Sequence, residues 1–253
     1  MIKNVSLVNK IGGYRISTKV YLPDCAFDKV VIVCHGFASH KKRPAVTVVA
    51  EKLMSSGICA VTFDFPCHGS SKASPEALCV ESCIEDILCL IRYVKTKYKI
   101  QDISLFGISF GGYVALNFAL RYPQLISRVF LRAPAINMEK VLIQKLIGVS
   151  KEKYQHDGYV RIGYKNRLLI PYDFYKDVCC HNLYQNSQQI DLPIFIVHGK
   201  VDDTADIEDT YLFVKEHVPH AKILEIEDMN HVISVEQIEM VADRLINFLR
   251  EAK

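Results

Sequence analysis

The chain has 253 residues, of which 50% are hydrophobic and 23% charged, and a formal net charge of +3. That is an ordinary globular balance, and the chain is long enough to bury a large core without disulfides or metal. It excludes an electrostatic case for nucleic acid, since the densest basic run, HKKRP at 40–44, reads as a solvated loop.

No run of about 18 apolar residues occurs, so no membrane span is expected. The first residues lack the apolar core of a signal peptide. Nine cysteines without a C-x-x-C pair, mostly inside apolar runs, read as buried free thiols of a cytoplasmic protein. Cys179-Cys180-His181 lacks the spacing that lets metal ligands converge, so no metal is expected. Neither composition nor motif fixes the oligomeric state, and a homodimer is one arrangement left open.

In chain order, KNVSLVN and YRISTKVYLP read as two strands. KVVIVCHG and ICAVTFDF are short valine-rich runs that suit strands buried on both faces. Residues 44–56 between them read as a helix, with Pro44 in its first turn and Gly57 at its end. A long helix is expected over 76–98, where Ile84, Ile87, Leu88, Ile91 and Val94 share one face. Strand ISLFGIS, helix 111–121 and strand SRVFLRAP follow. The chain ends with strand PIFIVHG, helix 206–217, strand AKILEIED and helix 235–250, whose Ser234 and Gln237 have capping-box spacing. Strands alternating with helices imply an α/β fold, a mostly parallel sheet flanked by helices. Ligands bind such sheets beyond the carboxyl ends of the strands.

Residues 135–190 break this rhythm. Connections that long are functional or carry structure of their own. Residues 138–147 look helical, and YVRIGYKNRLLIPY looks like a hairpin turning near Lys165-Asn166. Tyr154, Tyr159, Tyr164, Tyr172, Tyr175 and Tyr184 gather here. The expected organisation is a core of 1–134 and 191–253 with 135–190 inserted as a small cap, whose tyrosines would shape a pocket.

Ser109 stands in GISFGG, straight after an apolar strand and before a helix, as a nucleophile elbow requires. Gly107, Gly111 and Gly112 make so sharp a turn feasible. A serine hydroxyl needs a base, and the base an orienting acid. His231 is the histidine best placed to be the base, in a loop beyond AKILEIED, ahead of His217 and His220. Asp202, after IFIVHG, is the favoured acid, with Asp203 its main rival. Asp206 suits a helix start, and Asp228 keeps a small share. Backbone N–H groups of Phe110 and of Phe37, in VIVCHGFASH, are the expected oxyanion donors, unless HGF is only a turn with Gly36 at an unusual φ.

CHGF at 34–37, DFPCHGSS at 64–71, GISFGG at 107–112, HGKVD at 198–202 and MNH at 229–231 together resemble the α/β-hydrolases, in the family's order. DFPCHGSS is similar to that family's D-x-x-G-x-G-x-S loop, with Cys67 in place of the first glycine. Within the family the chain most resembles compact bacterial carboxylesterases of the cinnamoyl or feruloyl esterase type. That resemblance implies a hairpin-bearing cap between the sixth and seventh core strands. It also implies hydrolysis of a small-molecule carboxylic ester, such as a hydroxycinnamoyl ester, without cofactor or metal. Those esterases tend to carry Gln after the nucleophile, where this chain has Phe110. Monoacylglycerol lipases, serine aminopeptidases and thioesterases share the motifs, and a hydrolase-fold binding protein is the non-enzyme alternative.

Overall fold

The computed structural model of the chain describes residues 1–163, 165, 167–186 and 188–251. Eight strands form one sheet: β1 (Ile2–Val8), β2 (Arg15–Tyr21), β3 (Lys29–Cys34), β4 (Cys59–Phe63), β5 (Asp102–Ile108), β6 (Arg128–Arg132), β9 (Ile194–Gly199) and β10 (Lys222–Ile226). Their order is β1-β2-β4-β3-β5-β6-β9-β10. The first two strands run antiparallel, while β4, β3, β5, β6, β9 and β10 are mutually parallel. The valine-rich runs explain the centre: every residue of β4 is buried, as are all but the first of β3.

Two apolar layers cover the sheet. On one face α1 (Pro44–Ser55) and α8 (Val235–Arg250) pack through Val46, Val49, Leu53, Val241 and Leu245. On the other, α2 (Val80–Tyr98) and α3 (Phe110–Arg121) bury Ile84, Ile87, Leu90, Val114 and Phe118. The capping box at Ser234 and Gln237 is present. Helix α2 starts at Val80 rather than at 76. Pro75–Ala77 form a separate single turn, and the Cys79 thiol caps α2 by accepting from the Ser82 amide.

Between β6 and β9 lie α4 (Met138–Val141), widened into a π-turn at Leu142–Leu146, α5 (Lys151–Asp157), the antiparallel hairpin β7 (Tyr159–Ile162) and β8 (Leu168–Pro171), and α6 (Tyr172–Cys180). Helices α5 and α6 were not anticipated. Helix α5 is set by local chemistry: the Ser150 hydroxyl accepts from the Lys153 amide, and Gly158 ends the helix at φ +74°. The hairpin strands match expectation, but Tyr164 and Asn166 at its turn, and with Asn166 half of the expected Lys165-Asn166 corner, lie outside the described residues. Helix α7 (Ile207–His217) has Asp206 as its N-cap, the structural role a helix-start carboxylate suits.

No helix among the described residues is long and apolar enough to cross a membrane. The nine cysteines are all free; Cys34, Cys59 and Cys83 are buried, whereas Cys25 and Cys180 are exposed.

Candidate active site

The six parallel strands bring six chain segments to one edge of the sheet. The central one turns from β5 into α3 at Ser109, which adopts φ +52°, ψ −114°, a conformation costly for any residue with a side chain. The surrounding glycines show why that cost is accepted here. A Cβ on Gly107 would lie 2.6 Å from the Gly112 Cα, and one on Gly111 would lie 2.1 Å from the Cys34 carbonyl oxygen. A Cβ on Gly112 would meet Pro134 at 2.8 Å. Four backbone bonds pin the turn: the Ser109 amide donates to the Arg132 carbonyl, and its own carbonyl accepts from Gly112, Tyr113 and Ala135.

His231 Nε2 lies 3.0 Å from Ser109 Oγ, and His231 Nδ1 lies 2.8 Å from Asp202 Oδ2. Asp202 Oδ1 also accepts from the amides of Thr204 and Ala205, at 2.9 and 2.8 Å. Burial pushes the Asp202 carboxyl up, but the His198 ring beside it, the His231 ring and the Thr204 amide hold it well below the usual range. It therefore stands ionised beside the imidazole. The rival Asp203 is turned away and bonds Asn230 and Thr204 instead. His217 is buried against Phe213, and His220 and Asp228 are exposed, so none of the three joins the cluster.

Phe37 follows β3 in the turn that the Ser39 amide closes onto the Gly36 carbonyl. Its own amide meets no acceptor among the described residues. The Phe110 amide is the first of α3, where helix amides have no intrahelical acceptor. The rings of Phe37 and Phe110 pack edge to face with centroids 5.2 Å apart. Gly36 is not at a positive φ; Ala38 carries that strain, at +53°. A Cβ on Gly36 would meet the Ser109 Cβ at 3.5 Å, an ordinary contact, so neither φ nor space demands glycine there. Phe110 is fully buried among Phe37, Phe65, Tyr113 and Phe174.

Two buried polar groups hold the Phe37 loop. The His35 ring donates from Nδ1 to the Gly36 carbonyl and accepts at Nε2 from the Phe65 amide. Burial, with His68 nearby, lowers its pKa to about 3 and keeps it neutral. The Lys41 ammonium pairs with Asp64 and donates to Ser17 and Ser70. Cys67, in the glycine position of DFPCHGSS, does adopt the left-handed conformation, at φ +66°.

A cavity of about 420 Å³ opens beside Ser109 and His231. Leu146 comes to it from the insert, but none of the described tyrosines of 154–184 lines it. Most are spent elsewhere: Tyr154 donates to the Pro171 carbonyl and Tyr175 to Glu139, Tyr172 and Tyr175 stack, Tyr184 ties the insert to Asp209 of α7, and Tyr159 is exposed. The expectation that tyrosines shape the pocket is therefore corrected for the described residues; Tyr164 lies outside them. The sequence reading also missed Arg132. This last residue of β6 is 5% exposed and donates from Nη1 to the His231 carbonyl at 2.6 Å. Its only sequence signal was a charge inside the apolar run VFLRAP.

A strained serine turn at the centre of a mostly parallel sheet, with histidine and carboxylate delivered by later strand ends, defines an α/β-hydrolase. The description serine aminopeptidase, S33, matches residues 26–169, and the chain belongs to that family. Among curated proteins it is 24% identical to human monoacylglycerol lipase ABHD6, covering 87% of this chain and 74% of that one. A monoacylglycerol lipase of Mycolicibacterium smegmatis is 28% identical over 56% of this chain and 50% of its own length. Among solved structures, Est1E from Butyrivibrio proteoclasticus with ferulic acid bound superposes with TM-score 0.82 at 19% identity, covering 98% of this chain and all of that one. A hydrolase from Agrobacterium vitis gives TM-score 0.82 at 18% identity over 99% of both chains. The protein is thus a serine hydrolase of the ester-cleaving, esterase or lipase type.

Proposed function

We propose that the protein is a serine carboxylesterase that hydrolyses small to medium carboxylic esters through an acyl-enzyme. The observation that carries this reading is the unbroken chain of hydrogen bonds from Asp202 through His231 to Ser109. His231 Nε2 takes the Ser109 proton as Oγ attacks the ester carbonyl, and Asp202 holds the ring and stabilises the imidazolium. The amides of Phe37 and Phe110 receive the oxyanion. His231 then protonates the departing alcohol, and water, activated by the same ring, releases the acid. The scheme uses no cofactor or metal.

Residues 135–190 act in this reading as a cap on a core of 1–134 and 191–253, touching the cavity through Leu146. Ile108, Val46, Ile233 and Ile238 give the cavity apolar walls that suit an aliphatic or aromatic acyl group. Hydroxycinnamoyl esters stay in the proposed range, supported by the Est1E likeness, although no tyrosine lines the cavity among the described residues. Monoacylglycerols form a second reading, supported by the relatives that bear that name across most of this chain. The cytoplasmic location rests on the free thiols; a homodimer is the oligomer that light scattering would test.

The decisive experiment is labelling with a fluorophosphonate followed by peptide mapping. Modification of Ser109 is expected, and its absence in folded protein overturns the mechanism. Rates on matched p-nitrophenyl, hydroxycinnamoyl, monoacylglycerol, thioester and aminoacyl substrates then fix the class. Flat inactivity on all of them leaves a binding protein.

A further inference from the structure

We infer that the cavity beside Ser109 is built for an ester carrying a carboxylate at the end of a short apolar spacer, held by Arg43 and Arg132. This inference rests on the esterase reading and narrows its substrate. Among the described residues that line the cavity, Arg43 and Arg132 are the only Lys, Arg, Asp or Glu side chains. One unpaired cation on a wall is ordinary. Two arginines on one small cavity, without a counter-ion in it, form an electrostatic preference.

The two differ in setting. Arg132 is nearly buried, and its one described hydrogen bond, to the His231 carbonyl, leaves most of its five N–H donors for other partners. Burial lowers its pKa to about 10, partly offset by Asp202, so it stays charged at neutral pH. Asp202 sits on the Nδ1 side of His231, away from Ser109, and does not line the cavity. Arg43 is exposed and precedes α1, and its side chain makes neither an ion pair nor a hydrogen bond among the described residues. The first turn of α1 has no acidic residue, and its Pro44, Ala45 and Val46 border the same cavity, so the positive end of that helix adds to the field. Apart from the two arginines, much of the described lining is apolar, through Val46, Ile108, Leu146, Ile233 and Ile238. A ligand that satisfies both regions has a hydrocarbon stretch beside the scissile ester and a carboxylate beyond it, where a planar guanidinium can bind two oxygens.

The test compares two matched ester pairs. In one the carboxylate is on the acyl side: p-nitrophenyl hydrogen adipate against p-nitrophenyl hexanoate. In the other it is on the leaving group: 4-carboxyphenyl hexanoate against phenyl hexanoate. In one pair the wild type should favour the charged ester by about tenfold in kcat/KM, less in added salt. Arg43→Gln should cut that ratio severalfold; because the readout is a ratio within one matched pair, a general change in turnover cancels, and the helix start survives because Arg43 caps α1 with backbone only. A ratio near one in both pairs, or one that Arg43→Gln does not move, overturns the inference. If neutral esters are not cleaved, or are still cleaved by Ser109→Ala, the esterase reading itself fails. The subsite is then judged by calorimetry of methyl hydrogen adipate with Ser109→Ala: binding weakened severalfold by Arg43→Gln supports it, and unaltered or absent binding overturns it.

Discussion

Gly199 and Met229 meet backbone to backbone: a Cβ on Gly199 would lie 1.8 Å from the Met229 carbonyl oxygen. Gly199 ends β9 just before the Asp202 loop, and Met229 stands two residues before His231. Their contact sets how closely the acid and the base approach. Gly199→Ala must push the loops apart. A misplacement of about 1 Å costs about 10²-fold in turnover. Steady-state kinetics should show that loss in kcat, and fluorophosphonate labelling of Ser109 should slow with it, while circular dichroism reports a folded protein.

Asp202 and Asp203 are neighbours with different partners. Asp202→Asn removes the charge that orients His231 and should lower kcat by about 10³–10⁴-fold. Asp203→Asn removes only contacts to Asn230 and Thr204 and should leave kcat within a few-fold. The reverse ranking in esterase assays would show that the other carboxylate serves the histidine.

Lys41 and Asp64 form a buried ion pair whose side chains are 4% and 1% exposed. Removing one partner of such a pair leaves the other as an uncompensated charge, at about 3–5 kcal/mol. Lys41→Met should show that loss in urea denaturation, and Lys41→Met with Asp64→Asn should recover part of it. Because the pair ties the Phe37 loop to the loop after β4, the single variant should also lose kcat more than it raises KM.

Asp86, on α2, is buried against the segment joining β1 to β2, with Oδ1 accepting from Asn9 and Tyr14 and Oδ2 without a hydrogen-bond partner among the described residues. Burial, opposed by those two hydrogen bonds, raises its pKa to about 8. The unfolded carboxyl ionises near its usual value of about 3.9, while the folded one holds its proton. Between those values the folded state binds more protons, so this group makes stability fall as pH rises from about 4 to about 8, by a few kcal/mol in total. Asp86→Asn keeps the acceptor and cannot ionise. The stability difference between variant and wild type, measured by denaturation at pH 5 and pH 8, should shift in the variant's favour at pH 8.

Much of this was legible along the chain. Gly107, Gly111 and Gly112 announce a turn where no Cβ fits, and the valine runs announce strands covered on both faces. The caps at Asp206 and Ser234 use residues within one turn of each other. Helix α5 was also local, its Ser150 cap and Gly158 stop being visible signals that went unread. Other features had no local signal. Arg132 looks like a stray charge in an apolar strand until the fold lays the His231 loop against it. Lys41 reads as part of a solvated basic run, yet folding buries it on Asp64.

By itself the sequence determined the order of strands and helices outside residues 135–190, the serine elbow, and the candidates Asp202 and His231 at later strand ends, because hydrophobic period, glycine and cap chemistry act over a few residues. Only the tertiary structure decided that Asp202 rather than Asp203 meets His231, that the insert's described tyrosines stay off the cavity, and that Arg43 and Arg132 share that cavity. Those outcomes depend on the directions of side chains from segments far apart in the chain, which are set once the sheet brings its strand ends to one edge.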